Sequence, residues 1–188
     1  MDTHTIFFIG KPGCGKGTQA KLLSEKTGWT VIGSGKEFRE IATLDTPVGR
    51  KVREENYQGL LQPHWFAMYL YLKNLFALPE GASAIFDGFN RKEDEARLVI
   101  DSLLWLSRPF KVILIDITDE EAKRRVIERR EKENREDDNF LDTRLEEYEH
   151  YTKKAIELFE KQGALVTING ERTREEIAED IARVLNLS

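Results

Sequence analysis

The sequence predicts a three-layer α/β/α sandwich around one five-stranded parallel sheet. Three observations carry that expectation. Five short runs of apolar, β-branched or aromatic residues are separated by longer segments of helical period. Those runs barely alternate in polarity, as strands covered on both faces do. The first run also leads into a glycine-rich loop and then a helical segment, the strand–loop–helix order of a phosphate-binding unit. Strands alternating with helices imply parallel pairing through right-handed crossovers.

The strands are TIFFI (residues 5–9), TVI (30–32), SAIFD (83–87), FKVILID (110–116) and ALVTI (164–168). Ahead of the third, Trp65, Met68, Tyr69, Leu72, Leu75 and Phe76 fall at spacings of three and four, which reads as a helix face packed into the core. The polar stretch REKENREDDN (130–139) interrupts two helical patterns and reads as an excursion from the body. The 188 residues suit one domain with a real core, and no repeat or linker divides them.

With 40% apolar and 34% charged residues, a disordered chain is excluded. A net charge of -5 gives no global attraction to nucleic acid or to an anionic membrane, so any anion site must be built locally. No apolar run has the length of a membrane span, and no leading segment resembles a signal peptide. The single cysteine, Cys14, cannot form an internal disulfide, which fits a reducing, cytoplasmic setting.

The loop itself reads GKPGCGKGTQ, from Gly10 to Gln19. Glycines let backbone amides turn inward around an anion, and the following helix N-terminus adds its dipole. Lys16 has the position to place its ammonium between β- and γ-phosphates. A glycine-rich turn without a ligand is the alternative. Cys14 reads as a small side chain tolerated at a variable loop position. Gly17 stands where the general motif has the Ser or Thr that holds magnesium.

That exception carries a resemblance. Gly-x-Pro-Gly-x-Gly-Lys-Gly-Thr-Gln resembles the loop of the nucleoside monophosphate kinases, adenylate kinase most closely. The similarity covers nearly the whole chain. It implies a P-loop kinase fold with a core of residues 1–29, 63–128 and 143–188, a small helical acceptor-binding insert at about 30–62, and a short lid at about 129–142. It implies ATP and magnesium as donor and metal, with Gly10, Pro12, Gly13, Cys14, Gly15, Lys16, Gly17, Thr18 and Gln19 around the donor phosphates. Magnesium keeps several waters and binds mainly through phosphates, so Thr18 through water and Asp87 at the end of the third strand suffice as protein partners.

Further pieces extend the resemblance. GSGKEFRE is similar to the family's Ser-Thr-Gly-Asp-x-x-Arg, which implies that Ser34, Gly35 and Arg39 meet the acceptor phosphate. GLLQP resembles Gly-x-Leu-Val-Pro, which implies that the backbone of Leu61 and Gln62 lines the acceptor base. DGFNR resembles Asp-Gly-Phe-Pro-Arg and places Gly88 and Arg91 at the acceptor phosphate. RVIER, REDDN and DTRLEEY resemble the short-lid form, in which Arg125, Arg129, Arg135 and Arg144 reach the phosphates in transit. The family also suggests that the donor adenine stacks near Asn169 and Gly170. Lys16, Arg91 and the four lid arginines form the catalytic set.

The arginines make a case without the family. Arg125 and Arg129 lie four apart on a helix, share a face and repel. A polyanion arriving there turns repulsion into attraction. A solvated face is the other reading, because Glu121 precedes Arg125 by four and Glu131 precedes Arg135 by four. Arg124 and Arg130 read as surface residues. His4, His64 and His150 are scattered and no Cys or His pair has metal-ligand spacing, so no zinc site is expected. A monophosphate is already an ionised nucleophile, so its phosphorylation needs no general base.

Three departures from the family matter. Asn90 replaces the Pro that follows a cis bond in relatives, so either strain persists or the bond is trans. Lys36 replaces an Asp and reads as a solvated lysine. Glu95 replaces the Gln that reads adenine; a carboxylate only accepts, and suits the two adjacent donors of guanine. Solvent exposure of Glu95 is the competing reading. The resemblance therefore implies transfer of the γ-phosphoryl group from ATP to a nucleoside monophosphate. AMP is the first acceptor, with GMP or CMP/UMP as alternatives, on a monomer. A non-catalytic nucleotide-binding regulator and a hydroxyl-directed kinase stand as readings from other classes.

Overall fold

A computed structural model describes residues 4–133 and 139–187. The strands are β1 (Thr5–Ile9), β2 (Thr30–Gly33), β3 (Ala84–Asp87), β4 (Phe110–Asp116) and β5 (Leu165–Asn169). They form one sheet in the order β2-β3-β1-β4-β5, and every pairing is parallel. The helices are α1 (Lys16–Thr27), α2 (Ser34–Ala42), α3 (Pro47–Tyr57), α4 (His64–Phe76), α5 (Glu93–Trp105), α6 (Asp119–Glu133), α7 (Leu141–Glu147), α8 (Lys153–Lys161) and α9 (Arg174–Val184). A π-helical turn, Tyr148–Thr152, joins α7 to α8.

The unbroken apolar strands are explained by two cores. In β1, Phe7 and Ile9 face a core shared with α4, α5 and α8, whereas Ile6 and Phe8 face one shared with α1 and α9. In β4, Val112 and Leu114 face the first core, and Ile113 and Ile115 the second. Period-two alternation persists, but both faces are dry. At the sheet edges the expectation of double burial fails: Val31 in β2 and Thr167 in β5 are exposed. An edge strand has a neighbour on one side only, so part of it stays open to solvent.

The expected buried stripe of α4 is also corrected. Met68 and Leu75 are buried, together with Ala67, Leu70 and Tyr71, but Trp65, Tyr69 and Phe76 are 60% exposed or more. The helix is apolar around most of its circumference, so two stripes of equal spacing compete and tertiary packing selects one. Residues 30–33, which fall within the range expected for the helical insert, are sheet strand β2, and α2 and α3 follow it. Thr46 caps α3 by accepting from the Gly49 N–H, with Pro47 in its first turn. Of the stretch expected as an excursion, residues 130–133 continue α6, and 134–138 lie outside the described residues.

The first core centres on aromatics. Phe86 is fully buried, stacks on Phe7 at 4.9 Å and meets Tyr71 edge-on at 5.3 Å. Phe86→Ala is expected to destabilise the fold by about 3–5 kcal/mol, read from urea unfolding. A loss below about 1 kcal/mol would contradict this packing.

Candidate active site

The loop after β1 presses against its surroundings. Gly10 has φ 145°, and a Cβ there would stand 2.6 Å from the Ile115 carbonyl oxygen and 2.8 Å from Cys14 Sγ. Only glycine fits that close approach. Pro12 and Cys14 are buried beneath the loop. Gly13 and Gly15 complete the turn, and Gly15 caps α1.

Lys16 is folded under this loop. Its Nζ donates to the Gly10 carbonyl at 2.7 Å, to the Lys11 carbonyl at 2.9 Å and to Cys14 Sγ at 3.4 Å. Burial pushes its pKa down; Cys14 and Asp87 oppose that shift and Arg91 adds to it. Lys16, Asp87 and Arg91 therefore feel one another's charge. A Cβ at Gly17 would stand 3.3 Å from Asp87 Oδ2, so the position lacking the usual hydroxyl lies directly beside the carboxylate.

The acceptor candidates cluster across β3. Ser34 Oγ donates to the Asp87 carbonyl at 3.4 Å, and Arg91 Nε donates to the Gly88 carbonyl at 2.8 Å. Gly88 has φ 81°, and a Cβ there would stand 2.8 Å from an Arg91 Nη and 2.9 Å from Ser34 Oγ. Glycine thus keeps the arginine and the hydroxyl side by side. The Arg39 guanidinium lies over Gly35, 3.2 Å from where a Cβ would be. Lys36 is solvated, with Glu40 at 3.9 Å.

Several side chains differ from expectation. Gln19 is buried, and its Nε2 donates to the Arg174 carbonyl of α9 at 3.0 Å, so it braces α1 against α9. Thr18 is exposed beside it. Glu95 is not solvated: it is 3% exposed and accepts from the backbone N–H of Arg91 at 2.7 Å and of Lys92 at 3.4 Å. It closes the N-terminus of α5, as a carboxylate in the first helical turn can. The peptide bond before Asn90 is trans, since none of the described bonds is cis; Asn90 instead adopts a left-handed φ of 67°. The Gln62 amide is engaged as well, donating to Asn56 Oδ1 at 3.1 Å.

On the donor side, Arg125 Nη2 donates to the Gly170 carbonyl at 2.8 Å, and its Nε to Glu121 at 2.5 Å. Along this helix Arg125 and Arg129 are half-buried, while Arg124 and Arg130 are exposed. Arg124 also bonds Glu121, whose carboxyl the Arg124 and Arg125 guanidiniums push down to about 2 against the effect of burial. Asn169 Oδ1 accepts from the Glu171 N–H at 2.9 Å. Arg144 lies with its stem against Gly59, and Arg135 falls outside the described residues.

Sequence reading missed three residues. Lys11 reaches the Ile117 carbonyl at 2.8 Å and Asp119 at 2.7 Å, clamping the loop to the start of α6 and holding the Asp119 carboxyl below its usual range. Lys92 donates to the Leu61 and Gln62 carbonyls at 3.4 and 3.1 Å. Glu147 accepts from the Leu61 N–H at 3.0 Å. Nothing in residue type or spacing marks contacts between such distant segments.

Known proteins match this sequence. A family model described as adenylate kinase matches residues 8–164. The chain belongs to the adenylate kinase family. It is 33% identical to the adenylate kinase of Thermus thermophilus over 188 residues, covering 98% of each chain. It is 35% identical to that of Maricaulis maris over 185 residues, covering 96% of this chain and 97% of the relative. UMP-CMP kinase 1 of Oryza sativa subsp. japonica is 33% identical over 95% of this chain and 72% of its own length. Membership of the adenylate kinase family makes this chain a phosphotransferase of the nucleoside monophosphate kinase type.

The adenylate kinase family uses ATP and magnesium generally. The donor set here suits that metal. Among the described residues no three His, Cys, Asp or Glu side chains cluster as a metal cage. One carboxylate, Asp87, stands where the phosphate loop turns into α1. A hard cation held mostly by phosphates and water needs no more.

Glu95 generates a pH prediction. Burial raises its pKa in the folded chain against the pull of the Arg91 N–H and charge. The folded chain therefore holds this proton more tightly than the unfolded chain. Its contribution to stability is full below the ordinary carboxylate range and is lost as pH rises through the folded value. Glu95→Gln, which can still accept from Arg91, is expected to flatten the fall of unfolding free energy as pH rises above the ordinary carboxylate range. Identical pH slopes for the two proteins in urea titrations would contradict it.

Proposed function

We propose that this chain transfers the γ-phosphoryl group reversibly from ATP to AMP. The observation carrying the proposal is the convergence of Lys16, Asp87 and Arg91 where β1 and β3 end side by side. A nucleotide switch needs a phosphate loop but no second anion pocket; Ser34, Gly88, Arg91 and Arg39 supply elements of one. A hydroxyl-directed kinase wants a carboxylate to take the proton of its acceptor. Asp87, the carboxylate beside the loop, is better used at the metal.

In this reading the Lys16 ammonium leaves the carbonyls of Gly10 and Lys11 for the donor's β- and γ-phosphates. The loop amides bind the same oxygens. Arg91 and Arg39 hold the acceptor phosphate, while Arg125, Arg129, Arg135 and Arg144 neutralise the group in transit. Arg125, bonded to Gly170, also sets the floor on which the donor adenine lies beside Asn169. Asp87 and, through water, Thr18 would hold magnesium, which would supply positive charge to offset that of the phosphates. Closure of the insert and lid excludes water, a competing acceptor.

AMP is preferred because relatives 33% and 35% identical over nearly the whole chain are proteins named adenylate kinase. The case for GMP needs a free Glu95 carboxylate, and one of its oxygens is occupied by the α5 cap. CMP and UMP remain the second reading, favoured by the likeness to UMP-CMP kinase 1. The working unit is proposed as a cytoplasmic monomer; among the described residues no helix is long and apolar enough to cross a membrane.

Phosphorus NMR with ATP–magnesium and a panel of AMP, GMP, CMP, UMP and dTMP tests this directly. ADP should accumulate fastest with AMP, and chelating magnesium should stop the reaction. Lys16→Met is expected to cut turnover by roughly 10²–10³-fold with an unchanged circular dichroism spectrum. Near-wild-type turnover in that variant would overturn the assignment.

A further inference from the structure

The segment expected to line the acceptor base, Leu61–Gln62, has no regular secondary structure to hold its backbone. It lies in the connection between α3 and α4, outside any regular element. Two charged side chains from distant parts of the chain fix it instead. Glu147 at the end of α7 accepts from the Leu61 N–H at 3.0 Å. Lys92, immediately after Arg91, donates to the carbonyls of Leu61 and Gln62 and lies over the Tyr151 ring at 5.2 Å.

The contacts beside these are consistent with a seat. A Cβ at Gly59 would stand 2.7 Å from Phe140 Cβ and 3.3 Å from Arg144 Cγ, so the insert rests directly on α7 and the residue before it. The Tyr57 ring meets Phe140 at 5.2 Å. Arg144 and Glu147 are three apart on α7 and so share a face. One side of α7 thus carries both a phosphate-directed arginine and the carboxylate that holds the base-lining loop.

Resting on the kinase reading above, we propose that Glu147 and Lys92 are positioning residues of the acceptor subsite. Through the backbone of Leu61 and Gln62 they place the acceptor base, and they tie that placement to Arg144 on one side and to Arg91 on the other. A monophosphate seated against Leu61–Gln62 therefore meets both arginines in register with its base. ATP touches neither residue. A merely structural role for the same bonds would lower stability and disturb both nucleotides alike.

The test compares wild type with Glu147→Ala, Glu147→Gln and Lys92→Met. Glu147→Ala removes a charge-assisted hydrogen bond and is expected to raise KM for the acceptor roughly tenfold, with KM for ATP within about twofold. Lys92→Met should shift the same constant in the same direction. Glu147→Gln keeps a carbonyl oxygen for the Leu61 N–H and should stay near wild type. An equal rise in both KM values, or none, overturns the proposal. Amide exchange of Leu61 without nucleotide is the second readout: exchange should speed up in Glu147→Ala but not in Glu147→Gln, and unchanged exchange overturns the proposed seat. A wild-type protein that phosphorylates no monophosphate defeats the kinase reading, whereas the exchange comparison needs no nucleotide and still decides on the Glu147 bond.

Discussion

Everything at the site depends on where β3 lies in the sheet. Asp87 sits opposite Phe8 of β1 on one side and opposite Gly33 of β2 on the other. Because all three strands run parallel, each ends at the same edge. The phosphate loop leaves β1 there, Ser34 and α2 leave β2, and Gly88–Arg91 leaves β3. Parallel pairing follows from covering both faces of the sheet with helices, so hydrophobic burial is what brings the polar loops together. The chain carries a net charge of -5, yet this edge gathers Lys16 and Arg91, with Arg39 on the adjoining helix α2.

Lys16 shows how that edge stays stable without an anion. A buried ammonium is costly unless it is hydrogen-bonded. Two loop carbonyls and the Cys14 sulfur receive its protons, and Asp87 offsets part of the desolvation. The same contacts hold the loop curled. Lys11 adds a second constraint from the same loop: its backbone carbonyl accepts from Lys16 while its side chain grips Asp119. Phosphate loop and α6, which carries Arg125 and Arg129, are thereby joined through one residue.

Much of this was legible in the sequence, for physical reasons that also mark where legibility stopped. Central strands announce themselves because both faces must be apolar; β2 and β5 read the same way although their edges are wet. Buried Met68 and exposed Trp65 belong to one apolar helix, and only the neighbouring layer distinguishes them. The loop glycines were readable because Gly10 and Gly88 answer to backbone geometry, a local property. Glu95, Gln19, Lys92 and Glu147 were not readable in their roles, since each is defined by a partner elsewhere. Glu95 shows the ambiguity sharply. A carboxylate at that position suits a base and a helix N-terminus equally, and the folded chain gives one of its oxygens to the helix.

Asn90 makes the strongest case that the site is held against local preference. It is fully buried, its carboxamide oxygen and nitrogen have no hydrogen-bond partner among the described residues, and its backbone is left-handed. A buried polar group without a protein partner costs about 1–3 kcal/mol, and the left-handed region, which Asn tolerates better than most residues, is still less favoured than the right-handed one. Such a conformation persists only where its surroundings over-determine it. The residue before it supplies that constraint. Phe89 is 1% exposed and packs edge-on against Phe86 at 5.7 Å, within the aromatic cluster of Phe7 and Tyr71. On the other side, the Arg91 N–H is fixed by Glu95 and its guanidinium by the Gly88 carbonyl. Asn90 is thus held between an aromatic anchor and a helix cap. The spacing of Asp87 and Arg91, the carboxylate proposed for the metal and the arginine proposed for the acceptor phosphate, is set by core packing before any nucleotide arrives.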